Sequence, residues 1–230
     1  MSTGTLVILS GGQDSTTCLY WARERFFDVR ALTIDYGQRH RLEIMAATKV
    51  AQSAGVAHEI ISVGRLLIGS SPLVNLDEKV GTYERVEDLP GGVEPTFIPG
   101  RNLLFLLLAA NRAAAHGIRD LVTGVCEEDY GGYPDCRDVF VKHMAVTLGL
   151  GFYGESDHFT IHTPLMSLSK KDTVLLAQSL GCLEALAWTH TCYQGQFPPC
   201  QKCHACHLRA RGFAEAEIED PLVLRAVRGG

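Results

Sequence analysis

Apolar positions along the chain fall into short compact runs alternating with stretches of helical spacing. Residues 6–9, 29–35, 59–63, 120–125 and 159–162 read as strands, and residues 16–26, 42–54, 103–115, 138–148 and 169–180 as helices. Strands that alternate with helices imply right-handed crossovers and one parallel sheet with helices on both faces, a Rossmann-like α/β fold. Residues 64–98 break the pattern. They are rich in Gly and Pro, their apolar residues follow no sustained period, and they read as an insertion that is either functional, as a lid, or without fixed order.

In a sheet of this kind ligands bind beyond the carboxyl ends of the strands. Two polar segments emerge there. The first is Ser10-Gly11-Gly12-Gln13-Asp14-Ser15, between the first strand and first helix. Adjacent glycines allow a tight turn close to a bound group, and the helix start adds unpaired N–H donors and a positive dipole end, which together cradle an anion. An ordinary turn capped by Asp14 or Ser15 is the plainer reading of the same residues. The second segment is 126–137, too polar and turn-rich for a core element. Lys170 and Lys171 open the helix at 169–180, where cations oppose the macrodipole unless an anionic ligand holds one of them; two solvated lysines are the alternative.

The 230 residues are 46% hydrophobic and 20% charged, enough for one main α/β core with an appendage, and the net charge of −5 argues against a broad nucleic-acid footprint. No apolar stretch is long enough to span a bilayer, so a cytoplasmic protein without membrane attachment is expected. Of eight cysteines, Cys192, Cys200, Cys203 and Cys206 follow a C-x7-C-x2-C-x2-C spacing at the start of an amphipathic stretch, 205–216. Four thiolates this close suit a closed tetrahedral zinc site, with an iron–sulfur cluster as rival and His190, His204 and His207 as bystanders or outer donors. Cys18 and Cys182 read as small buried hydrophobes. The boundaries that follow are a nucleotide-binding domain at 1–188, with its insertion at about 64–98, and a zinc-binding region at 189–230.

The first turn lacks both the Walker and the dinucleotide glycine patterns. It resembles the PP-loop of the ATP pyrophosphatases, and the chain as a whole resembles the 7-cyano-7-deazaguanine synthases, the nitrile-forming enzymes of the queuosine pathway. The resemblance is carried by residues 10–19, Asp35-Tyr36-Gly37-Gln38-Arg39-His40, Pro99-Gly100-Arg101-Asn102, residues 124–140, Thr163-Pro164-Leu165 and the cysteine cluster, and only weakly by the insertion. It implies that 7-carboxy-7-deazaguanine and free ammonia become a nitrile, with ATP and Mg²⁺ supplying two successive adenylations and Zn²⁺ held by the four cysteines. Leu9, Ser10, Gly11, Gly12, Gln13, Asp14, Ser15, Thr16, Thr17, Cys18 and Leu19 become the ATP-binding stretch. Ser10, Asp14, Ser15 and Lys170 become the catalytic group, and Asp14 either orients the loop or helps hold the metal. Asp129 and Asp135 are candidates to read the base edge, Tyr130 and Tyr133 to stack on it, and Arg101 and Arg137 to meet the carboxylate or the phosphates. Small molecules are then the partners and nucleic acid is not, and a homodimer is compatible with the reading. A tRNA-modifying PP-loop enzyme with Cys126 or Cys136 as sulfur carrier is the alternative, followed by a zinc-knuckle module that binds nucleic acid.

Overall fold

The computed structural model describes residues 4–90, 92–127 and 132–229. Five strands, β1 (Gly4–Ile8), β2 (Asp28–Asp35), β3 (Ala57–Ser62), β4 (Asp120–Val122) and β5 (Thr160–His162), form one sheet in the order β3-β2-β1-β4-β5. Every pairing is parallel. The order reverses direction between β1 and β4, which places a crevice at the carboxyl ends of these two strands.

Side chains alternate across this sheet. Leu6 and Ile8 point into one core with Leu32, Ile34 and Leu121, and Val7 and Leu9 into a second with Ala31 and Val122. Helices α3 (Arg101–Ala115) and α4 (Asp138–Tyr153) cover the first face; α1 (Gln13–Arg23) and α2 (Leu42–Ala54) cover the second. The sheet is therefore dry on both sides, which accounts for its unbroken apolar runs. The helix at 42–54 has the bounds that its spacing predicts, because Gly55 adopts φ 66° and closes it with a left-handed cap. Strand β4 stops at Val122, three residues before its apolar run ends, and α4 runs five residues past Leu148.

The rest of the chain is α5 (Lys170–Ser179), α6 (Leu183–Leu186), α7 (His204–Glu215) and α8 (Pro221–Val227). The described residues of 64–98 include one 3-10 turn, Val86–Asp88, and they are built into the molecule. Leu73, Val74, Val80 and Ile98 are buried. Ser71 Oγ donates to the Thr96 carbonyl at 2.9 Å, and Arg39 Nε to the Pro72 carbonyl at 2.8 Å. The segment then runs on to the cysteine region, where Tyr83 N donates to the Lys202 carbonyl at 2.8 Å and Gln194 Nε2 to the Val80 carbonyl at 3.1 Å. It acts as a strap, and its scattered apolar residues are the points at which the strap is pinned. No helix among the described residues is long and apolar enough to cross a membrane.

Candidate functional site

The crevice between β1 and β4 opens into a cleft of about 280 Å³ lined on one side by the first turn. Leu9 continues β1 by donating its N–H to the Leu32 carbonyl at 2.8 Å, and the chain then bends at Gly11, whose φ is +87°. A Cβ there would lie 2.3 Å from the Glu43 carbonyl oxygen and 2.7 Å from Ala47 N, so only glycine lets the turn settle against α2. Gly12, not Asp14 or Ser15, is the N-cap of α1, and it caps without a side chain. The hydroxyls brace the turn from within. Ser10 Oγ and Ser15 Oγ are 3.0 Å apart, Gly12 N donates to Ser10 Oγ at 3.3 Å, and Thr16 Oγ1 donates to the Gly12 carbonyl at 2.8 Å. At its other edge β4 leaves through Gly124, where a Cβ would sit 3.1 Å from Ser15 N. Two segments distant in sequence thus meet at the start of α1, whose first N–H groups have no helical acceptor.

Ser10, Gly12, Gln13, Asp14 and Ser15 line the cleft. Thr16, Thr17, Cys18 and Leu19 do not. All four are fully buried on the inner side of α1, so they support the turn from behind. Burial pushes the Cys18 thiol well up, with the Asp14 charge adding to it.

Lys170 is the first residue of α5. Its Nζ lies 2.7 Å from Asp14 Oδ2, both side chains being largely buried, so the lysine that opposes the α5 dipole is held by a carboxylate of the chain itself. Lys171 is exposed. The Lys170–Asp14 ion pair spans the mouth of the turn expected to cradle an anion.

The far wall carries Arg101, placed by Gly100 at φ 78° as the first residue of α3. Its guanidinium is hydrogen-bonded to Tyr36 and close to Tyr133 and Tyr193. Tyr133 also lines the cleft, with its hydroxyl 2.7 Å from Thr96 Oγ1 and 3.3 Å from Glu94 Oε2. Thr96 in turn donates to the buried Glu94 carboxylate through both its N–H and its hydroxyl. Asp135 belongs to the 3-10 turn Pro134–Cys136 beside this wall. Its carboxylate is buried behind the wall, accepts from Asn102 N at 3.3 Å and is pushed up by that burial against the Asn102 hydrogen bonds; Asn102, not Asp135, lines the cleft. Arg137 is exposed at the N-cap of α4 and is not among the lining residues. Asp129 and Tyr130 lie outside the described residues. Cys126 and Cys136 do line the cleft, and Cys126 Sγ donates to the Leu168 carbonyl at 3.2 Å.

Sequence reasoning passed over several lining residues. His190, Thr191 and Tyr193 come from the C-terminal region, and His190 N donates to the Gly11 carbonyl at 2.9 Å, so that region closes one side of the cleft. Arg209 fixes this closure. Buried with Asp220, it donates through Nε and Nη2 to both carboxylate oxygens at 2.6 and 2.8 Å, and through Nη1 to Thr189 Oγ1 at 2.8 Å. Glu43 also faces the cleft, its carboxyl pushed up to about 7 by burial, with Arg101 pulling the other way. In sequence a glutamate in the first turn of a helix has a sufficient explanation in the dipole, so nothing marked it out.

The four cysteines of the C-terminal run converge, with all their sulfurs within 4.8 Å of one another. Cys200 Sγ and Cys206 Sγ are 3.9 Å apart, close to the edge of about 3.8 Å that a tetrahedron of metal–sulfur bonds of ~2.3 Å would have. Backbone N–H groups of Cys200 and Cys203 point at Cys192 Sγ (3.4 Å) and Cys200 Sγ (3.3 Å), and hydrogen bonds from Cys203 and Cys206 hold the Cys192 thiol far below its usual range. The same hydrogen bonds push the Cys203 and Cys206 thiols up, so the fit to one metal ion rests on the spread and geometry of the four sulfurs. His204 and His207 are not in this group, and His207 Nε2 is bonded instead to the Tyr83 carbonyl at 2.8 Å.

A family profile described as "Queuosine biosynthesis protein QueC" matches residues 4–217. The chain is 53% identical over 221 residues to a 7-cyano-7-deazaguanine synthase from Gloeobacter violaceus, covering 94% of each protein. It is 52% identical over 223 residues to one from Chromobacterium violaceum, covering 96% of this chain and 93% of that one. Among solved structures it is similar to a predicted subunit of tRNA methyltransferase from Methanocaldococcus jannaschii, with a TM-score of 0.52 and 17% identity over 77% of this chain and 76% of the other. That last likeness is one of fold alone.

Proposed function

The chain belongs to the QueC family of queuosine biosynthesis proteins, and from this premise we propose that it makes 7-cyano-7-deazaguanine from 7-carboxy-7-deazaguanine and ammonia at the expense of ATP, as a ligase forming carbon–nitrogen bonds. The observation that carries the proposal is the juxtaposition at the β1/β4 crevice: the glycine turn with its helix start, the Asp14–Lys170 pair across it, and Arg101 on the opposite wall.

A carboxylate oxygen and an amide oxygen are both poor leaving groups, and each becomes a good one when carried off on AMP. In the first activation the substrate carboxylate attacks the α-phosphorus of ATP, pyrophosphate leaves, and ammonia displaces AMP to give the amide. In the second the amide oxygen is adenylated and AMP is eliminated, leaving C≡N. Chemistry of this kind needs positioning and charge stabilisation more than covalent help from the protein. The N–H groups at Gly12 and the start of α1, with the Ser10 and Ser15 hydroxyls, hold the β- and γ-phosphates as charge grows on departing pyrophosphate. Lys170 moves from Asp14 to that charge. Asp14, relieved of its partner, would be the carboxylate to hold Mg²⁺, which would supply further charge neutralisation at the phosphates. Arg101 meets the substrate carboxylate, and Tyr133, with its hydroxyl fixed, offers its ring to the base. Cys192, Cys200, Cys203 and Cys206 would hold Zn²⁺, which would supply folding energy to the region that brings His190 and Tyr193 to the cleft.

The deciding experiment is incubation of the purified protein with ATP, ammonium and 7-carboxy-7-deazaguanine, with mass analysis of the products. Nitrile and two AMP per turnover are expected. AMP and amide without nitrile would leave only an amide synthetase. Turnover that required added tRNA would revive the tRNA-modifying alternative.

A further inference from the structure

Glu43 is the one acidic side chain of α2's first turn, and it faces the cleft. Its backbone carbonyl packs against Gly11 of the phosphate turn, and its carboxyl is within electrostatic reach of Arg101 on the opposite wall. It thus lies between the place where pyrophosphate departs and the place where the substrate carboxylate docks. Among the described residues its carboxylate has no hydrogen-bond or ion-pair partner, although Asp14, the other acid lining this cleft, is tied to Lys170. The groups facing it are Arg101 from α3 and the phenol of Tyr36 beyond β2, and neither takes a proton at neutral pH.

Ammonia in neutral water is almost wholly ammonium, which has no lone pair and cannot attack an acyl group. We propose that Glu43 is the general base that takes a proton from ammonium in the cleft, an inference that rests on the amide-forming step described above. The carboxylate accepts one N–H proton, and the lone pair released on nitrogen attacks the acyl carbon of the adenylate. The C–N bond forms, the C–O bond to AMP breaks, and AMP leaves with the electron pair. The remaining surplus proton on nitrogen passes to water, and Glu43 returns its own proton to solvent when product leaves. Burial suits the carboxylate to this task, because a group titrating near 7 holds a proton far better than an exposed glutamate and is still ionised for a useful fraction of the time. The same site also attracts ammonium as a cation, which raises its local concentration where Arg101 alone would repel it.

The test is Glu43→Gln, assayed with ammonium and, in the same preparation, with hydroxylamine, which is mostly neutral at pH 7.5 and traps the adenylate as a hydroxamate without needing a base. We expect kcat/KM for ammonium to fall by about 100-fold or more while hydroxamate forms at close to the wild-type rate. Equal loss with both nucleophiles would assign Glu43 to ATP or metal binding and overturn the proposal, as would equal retention. Glu43→Ala provides a second reading, in which added acetate should restore part of the ammonium rate and leave the hydroxylamine rate unchanged; no restoration counts against a base at this position. A wild-type protein that formed neither amide nor hydroxamate would instead overturn the parent reading, and the two failures are told apart by the wild-type lane alone.

Discussion

The cleft and the cysteine cluster lie on either side of the 190–193 stretch, and they are built on opposite plans. The cluster draws four cysteines from fifteen consecutive residues, 192–206, and their sulfurs lie within 4.8 Å of one another, supported by backbone N–H groups and largely buried. The cleft draws Ser10, Glu43, Arg101, Tyr133 and Lys170 from five separate segments, and among the described residues it keeps polar groups without partners, the Glu43 carboxylate and Gln13 Nε2 among them. A structural centre lowers the energy of the fold by closing itself. A site for chemistry holds its groups open for a ligand, and the fold carries that cost. The Arg209–Asp220 pair and the His190–Gly11 hydrogen bond couple the two, so the closed centre stiffens the open one.

Removing the metal should give the largest effect and is the sharpest challenge to that coupling. Structural zinc sites supply on the order of 10 kcal/mol of folding energy, so a strong chelator, or Cys203→Ser, should abolish the cooperative melting transition of the C-terminal region and eliminate turnover with it. Calorimetry beside metal analysis checks this. Activity that survived complete zinc loss would mean that the two regions are independent. Next in size is Lys170→Ala. Loss of one charge that stabilises departing pyrophosphate should lower kcat by about 10²–10³-fold with little change in melting temperature, read by pyrophosphate release. A change in the KM for ATP at unchanged kcat would instead assign Lys170 to binding alone.

The smallest effect is one of stability and runs in the direction opposite to the loss of activity. Because burial raises the folded-state value of Glu43 from about 4.5 to about 7, its protonated form is the one the fold prefers. Its contribution is fully present below about pH 4.5 and is lost as pH rises through about 7. Glu43→Gln, which stays neutral, should therefore melt at a higher temperature than wild type at pH 8, by an increment of about 1 kcal/mol or more, and at the same temperature near pH 4.5. A variant less stable than wild type at pH 8 would mean that the carboxylate is satisfied and belongs with the closed centre instead.

The parts of this protein that could be read directly share one property: each signal is local. A glycine at 55 ends a helix, two glycines at 11 and 12 turn a strand into a helix, and four cysteines at fixed spacing converge into one cluster, all through interactions within a few residues of one another. The strand runs and their order gave a parallel sheet for the same reason, since burial on both faces leaves unbroken apolar runs. What lay beyond reach was pairing across the chain. Asp135 and Asn102 are adjacent in space, and which of them faces the cleft depends on how the 3-10 turn at Pro134–Cys136 seats against α3. The strap at 64–98 is held by single contacts to Arg39, Lys202 and Gln194, which leave no period behind. Glu43 could be recognised only once Gly11 was seen against α2 and Arg101 across the cleft. The sequence by itself determined the layers, the glycine turn and the cysteine cluster, because short-range geometry and burial write periodic or fixed-spacing patterns. The tertiary structure alone decided which charges are paired, which are left open to a ligand and what closes the cleft, because electrostatic pairing over tens of residues depends on distance in space and leaves no pattern along the chain.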